Sequence, residues 1–285
     1  MTKNPLKTDL LSAVDLRLNP MKFNGVYGCM IEFQSDNEAH LVRYKQRFEC
    51  IGKDRKDNLN FRITRFEDIY INDKKPSVFL HELGHAVSSV LYPLDIECNR
   101  MGDFRTVTNF KEIQKRWTDK KASLLAQYKD ESVVNYINKA SKTLENEHRF
   151  LAKMKSDYFL ALYFKPIFLY YTASFNFETN LSFPVLGSAK PVNFTVNQRI
   201  DEKALERNAY KIHVSGTVND ERSLADLEQK LDYPNYPSES EEDKGSCTIT
   251  YYLNNAAQFI AGIDGVFDLK FGTSKKVKVK MFLLE

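Results

Sequence analysis

The sequence predicts an α+β protein in which antiparallel sheets are segregated from a central block of long helices, arranged as two lobes. Three observations predict it. Aromatic residues are abundant and skewed toward strand formers, with 20 Phe and 15 Tyr against one Trp. Stretches of period-two hydrophobicity gather mainly toward the two ends of the chain. Between them, residues 109–164 hold apolar positions at helical spacing. Strands grouped apart from helices argue against a doubly wound sheet. The lobe boundary falls near residue 172. Residues 1–172 then make an N-terminal α+β lobe, and residues 173–285 a β-rich C-terminal lobe.

Each element has its own warrant. Residues 1–24 read as irregular or weakly helical, and residues 26–34 as an apolar, aromatic strand. In residues 42–51, Tyr44, Phe48 and Cys50 alternate with Arg43, Lys45, Arg47 and Glu49. In residues 59–66, Leu59, Phe61 and Ile63 alternate with Asn60, Arg62 and Thr64. Such alternation marks a half-solvated antiparallel sheet. A helix is predicted over residues 77–91, opened by Pro76 and Ser77 and closed by Tyr92-Pro93. Residues 94–99 and 104–108 read as a strand pair turning at Gly102-Asp103. Asn109 is placed to cap the next helix, with Glu112 in the capping-box position. That helix carries Phe110, Ile113, Trp117, Leu124 and Tyr128 on its apolar stripe. A second long helical stretch covers residues 132–164, with a break near Phe150.

Strands return at residues 175–183, 192–197 and 210–218, followed by a short helix within residues 220–231. Residues 232–246, with Pro234, Pro237 and an acidic cluster, form a solvated, mobile loop. The chain ends in strands at residues 247–253, 265–271 and 275–284. In the last of these, Val277, Val279, Met281 and Leu283 oppose Lys276, Lys278 and Lys280. Lysines along one side suit an exposed edge strand guarded against aggregation.

Composition narrows the function classes. A net charge of +3 is too small to argue for nucleic acid or membrane partners. The chain has no Gly-rich phosphate loop, no G-x-S-x-G elbow and no Cys/His nucleophile pair, which removes the common hydrolase and nucleotide-enzyme classes. No apolar leader follows Met1, and no run of about 18 uncharged apolar residues occurs, so neither a secretory signal nor a membrane span is expected. Cys29, Cys50, Cys98 and Cys247 are scattered, which suits reduced, buried thiols in the cytoplasm.

One segment names a chemistry. His81-Glu82-Leu83-Gly84-His85 is an H-E-x-x-H motif within apolar flanks. On a helix, His81 and His85 share a face one turn apart, where two imidazoles can bind one zinc ion. Over about residues 78–87 the chain resembles the zincin-type zinc metallopeptidases. The resemblance implies His81 and His85 as zinc ligands and Glu82 as the general base that activates a bound water. Residues 86–91 lack the Gly and third His of the extended pattern. Glu112 is the best-placed third ligand, ahead of Glu97, Glu145, Glu147 and His148, although helix capping also explains it. His148, in register with Leu144 and Leu151, fits a core position. The motif also has a purely structural explanation. Phe79, Leu80, Leu83, Ala86, Val87, Val90 and Leu91 make one apolar side of an amphipathic helix, and His81, His85, Ser88 and Ser89 fall on the other.

Two further patterns bear on binding. Arg43, Lys45 and Arg47 make a basic stripe on one strand face, with Arg62 beside it, and Glu49 and Glu67 balance it as a solvated surface. Residues 158–171 hold more aromatics than one helix face needs, which suits core and also suits an assembly surface. The leading expectation is a non-catalytic, cytoplasmic protein-binding or assembly module without a cofactor. The alternative is a zinc-dependent metallopeptidase-like hydrolase built on His81, Glu82 and His85.

Overall fold

The computed structural model describes residues 14–35, 38–76, 78–171, 176–187, 189–201, 204, 207, 209–236, 243–270 and 275–284. The N-terminal strands are β1 (Val14–Asp15), β2 (Asn24–Ser35), β3 (Glu38–Lys53), β4 (Leu59–Ile71), β5 (Leu94–Cys98) and β6 (Phe104–Val107). The helices α1 (Phe79–Ser88), α2 (Phe110–Gln127), α3 (Glu131–Leu144), α4 (Glu147–Met154) and α5 (Tyr158–Tyr163) are interleaved with and follow them. The remainder comprises β7 (Tyr170–Tyr171), β8 (Asn176–Phe183), β9 (Val192–Ile200), β10 (Lys211–Val218), α6 (Leu224–Glu228), β11 (Gly245–Leu253), β12 (Ile260–Leu269) and β13 (Lys275–Leu283).

Eleven strands form one antiparallel sheet in the order β6-β5-β4-β3-β2-β13-β12-β11-β10-β9-β8, while β1 pairs with β7 separately. The expected α+β arrangement, with sheets set apart from a central block of long helices, is therefore corrected. The molecule is mainly a β-sheet, and its helices are short. The strand groups before and after the helices join where β13 pairs with β2, from Lys276↔Gln34 to Leu283↔Tyr27. The join works because both strands present a matching apolar row to the same side, Tyr27, Cys29 and Ile31 beside Val277, Val279 and Met281. By the same pairing β13 lies at the centre of the sheet and not at an edge. Its lysines mark a solvated face, where Lys276, Lys278 and Lys280 reach Asp268, Glu32 and Asp264 at 3.4, 3.5 and 3.8 Å.

The helical block also breaks more often than its periodicity suggests. Asp130 caps α3 through the Ser132 and Val133 amides, Asn146 caps α4 through Arg149, and Asp157 caps α5 through Leu160. Asn109 does not make the expected capping box. Its side chain accepts from the Asp95 amide at 3.0 Å and donates to the Pro93 carbonyl at 2.9 Å, so it ties α2 to β5.

The core lies on one face of the sheet. Phe48, Phe61, Phe194, Val214, Ile249 and Val279 all point to it and are fully buried. The segment from α5 through Tyr171 fills the space they enclose. The Tyr163 ring stacks on Phe159 with centroids 5.2 Å apart and meets Tyr27 edge-on at 5.6 Å. Tyr251 donates to the Leu162 carbonyl at 3.1 Å, and Tyr27 donates to the Ile260 carbonyl. The two edge strands reach the same short segment from opposite sides. The Phe104 ring of β6 lies 6.4 Å from Phe164, and Lys165 donates to the Ser182 carbonyl of β8 at 2.8 Å. The sheet therefore curls around residues 158–171 until its open edges face one another.

Candidate binding site on the outward sheet face

The other face of the sheet looks outward. Alternation places Met30, Arg43, Lys45, Lys278, Asp264 and Thr248 on it. Along most of β12 and β13 it is a solvated ladder of opposite charges, as cross-strand pairing favours. Near the N-terminal end of β2 the character changes. A groove of about 610 Å³ opens across β4, β3, β2 and β13, lined among others by Val26, Met30, Phe66, Tyr70, Phe282 and Leu284.

Two backbone features make this groove. Tyr44 pairs with Ile69 but Gln46 with Arg65, so β4 carries extra residues opposite Lys45. This bulge carries Phe66 and Asp68 out to the groove wall. On the floor, Gly28 pairs with Phe282 across the β2–β13 join. A Cβ at residue 28 would stand 3.0 Å from the Phe282 ring, so the ring lies directly over the glycine. Phe66, Phe282 and Leu284 are each about two-fifths exposed, at 39%, 41% and 40%. Tyr252 extends the apolar surface onto β11 at 39% exposed.

The charges at the rim are unevenly satisfied. Arg43 pairs with Asp73 at 2.5 Å and lies 5.8 Å from the Tyr70 ring centre. Arg62 makes a bidentate pair with Asp95, both contacts at 2.7 Å. Asp68 pairs with Lys75, which holds its carboxyl below the usual range. Among the described residues Lys45 and Arg47 enter no ion pair. The basic stripe thus divides into two structural arginines and, among the described residues, two cations outside any ion pair beside an apolar groove, Lys45 acting on Asp68 at longer range. The groove aromatics were open to sequence reasoning, since Phe282 falls in register with Lys276, Lys278 and Lys280 on the charged side of β13.

Among the described residues the motif helix gathers no metal centre. His81 and Glu82 are exposed on α1, Leu83 is its buried residue, and Glu112 is exposed at the start of α2. His85 is half-buried with Nδ1 enclosed and unpartnered. Among the described residues no group of three or more His, Cys, Asp or Glu side chains is placed to hold a metal ion. The expected zinc binding by His81, His85 and Glu112 is corrected on that ground, because two imidazoles without a third ligand make a weak site. The apolar side expected for α1 is also only partly used. Leu83 and Val90 are buried, whereas Phe79 and Leu80 are 40% and 66% exposed. Gly84 sits beside Tyr136, whose hydroxyl would lie 3.7 Å from an added Cβ. His148 is exposed on α4 and not in the core. The aromatic segment is core, with Phe159, Tyr163, Phe164, Phe168 and Tyr171 buried and only Tyr170 standing out at 61%.

No protein-family model and no curated protein matches this sequence. Among solved structures, a porin-like protein from Bacteroides uniformis ATCC 8492 aligns over 93% of this chain and 97% of its own, at 8% identity and a TM-score of 0.20. Similarity at that level bears on neither fold nor function. No helix among the described residues is long and apolar enough to cross a membrane.

Proposed function

We propose that this chain is a non-catalytic, cytoplasmic protein-binding module whose outward sheet face receives a partner at the Phe66–Phe282 groove. The observation that carries the reading is the gathering of Phe66, Phe282, Leu284 and Tyr252, all substantially exposed, on a face that is otherwise charged. Aromatic side chains ringed by polar groups are the usual composition of a protein interface and of its energetic centre. Lys45 and Arg47 beside the groove favour a partner segment that carries acidic residues next to an apolar anchor. Four free cysteines agree with a reducing compartment.

A photo-crosslinking phenylalanine analogue at position 282, compared with the same analogue at position 195 on the same face, tests the reading in cells. The expected result is a discrete adduct at 282 that disappears when Phe66→Ser is added, while the protein keeps its native Trp117 fluorescence. Equal, diffuse labelling at both positions overturns it.

A further inference from the structure

The gap between the two open sheet edges holds a second cleft, of about 690 Å³, which the outward-face reading does not use. Asp103, Phe104 and Arg105 line it from β6 and the preceding turn, Asn180 and Ser182 from β8, and Lys155, Lys165 and Lys190 from the segments between and beyond. Its volume lies in the range of small-molecule sites. Four cationic residues and one acidic residue line the same space, and the Lys190 ammonium also lies 5.3 Å from the Tyr233 ring centre. Among the described residues none of the four cations is in an ion pair.

Lys165 is held there by construction. Its Nζ donates to the Ser182 carbonyl at 2.8 Å and lies 4.9 Å from the Phe183 ring centre. An ammonium has three N–H donors, so two remain for a ligand. Its backbone is fixed as well. Gly102 adopts φ +91°, and a Cβ there would come within 2.7 Å of the Lys165 carbonyl oxygen, so only glycine allows the β5–β6 turn to seat residue 165. Burial pulls the Lys165 ammonium down to about 8, with Asp103 opposing that shift and Lys155 adding to it. A cation held in this way, against the cost of its own desolvation, is poised to gain a counter-ion.

We propose that the cleft between the open edges of the sheet binds a small molecule carrying at least two negative charges on oxygen. Lys165 serves as the central contact, with Arg105, Lys155 and Lys190 around it. A phosphate ester and a dicarboxylate share that chemistry. Lysines bind either as point charges, and Asn180 and Ser182 supply hydrogen-bonding side chains at the wall.

Calorimetric titration of the whole protein with pyrophosphate and, separately, with citrate tests the proposal. The expected result is saturable binding of at least one probe, weakened about tenfold or more by Lys165→Met and also weakened by the exposed Lys190→Met. Lys111→Met on α2 leaves affinity unchanged. Retained Trp117 fluorescence shows that each variant is folded, and Lys190→Met keeps the test decisive if Lys165→Met is not. Binding of pyrophosphate alone assigns a phosphate ligand, and binding of citrate alone assigns a carboxylate ligand. Failure of both to saturate, or affinity unmoved by the cleft substitutions in folded protein, overturns the site.

Discussion

Lys165 shows how one residue's surroundings make its charge conditional. Its folded value, about 8, lies below the ordinary 10.5. Between those two values the unfolded chain binds more protons than the native one, so this group's contribution to stability rises with pH across that window. Below about 8 the full cost of burying the charge is present. Lys165→Met is therefore expected to raise the melting temperature relative to the wild type at pH 7, and the difference should shrink by pH 10. Parallel thermal melts followed by Trp117 fluorescence measure it, and a difference that grows with pH contradicts the assigned burial cost. The lysine could not be singled out from sequence. Lys165-Pro166 reads as an interruption of an aromatic stretch, and only the approach of β6 and β8 gives that lysine a cleft. Phe282 was more legible, because its register beside three lysines marks it as an aromatic on the solvated side.

Elements carry their own signals, and some are short. The longer strands were largely readable from alternation, and predicted and observed bounds for β8 and β11 differ by at most two residues, whereas β12 begins at Ile260 and not at residue 265, and the two-residue β1 and β7 carry no alternation to read. The helix breaks were readable in principle. Asp130 marks a break that the spacing also shows, between Tyr128 and Ser132, whereas Asn146 and Asp157 each stand immediately before a new helix while the apolar spacing continues through them and hides the interruption. Asp157 has a second role, because its carboxylate lies 3.5 Å from Arg65, whose guanidinium sits between the Tyr44 and Tyr92 rings at 4.4 and 4.6 Å. Losing the cap alone costs about 1 kcal/mol. Asp157→Ala is expected to exceed that figure in urea unfolding, and Asp157→Asn, which keeps a capping oxygen, to fall below Asp157→Ala. Equal losses for the two would mean that the cap contributes nothing here. Asn109 teaches the opposite lesson, since a good cap in sequence is used to tie a helix to a strand.

At the scale of the whole molecule, the pairing of β2 with β13 decides the architecture. Nothing within either strand names its partner, because register depends on which apolar faces meet and not on local sequence. Two large sheets were a reasonable expectation, and the one eleven-stranded sheet follows from one long-range contact. One hydrophobic core then spans residues from both strand groups. The expected consequence is one cooperative transition. Trp117 fluorescence, which reports the helices, and exposure of the buried Cys247 thiol, which reports β11, should share a midpoint in denaturant. Separated midpoints would show two independent lobes. The distribution of polarity is also informative. Aromatics fill the inside of the curled sheet, while on the outside Lys–Asp ladders on β12 and β13 lie beside the apolar Phe66–Phe282 groove.

The same central join has a bearing on how the chain is made. Glu32 and Lys278 are 246 residues apart. A ribosome adding roughly 5–20 residues per second needs on the order of 12–50 seconds to supply the second after the first. Throughout that interval the nascent β2 has β3 along one side only, and the backbone edge that β13 will take stays unpaired. The protein is in that sense a late-closing fold, in which one edge of β2 waits for a strand made almost a whole chain later.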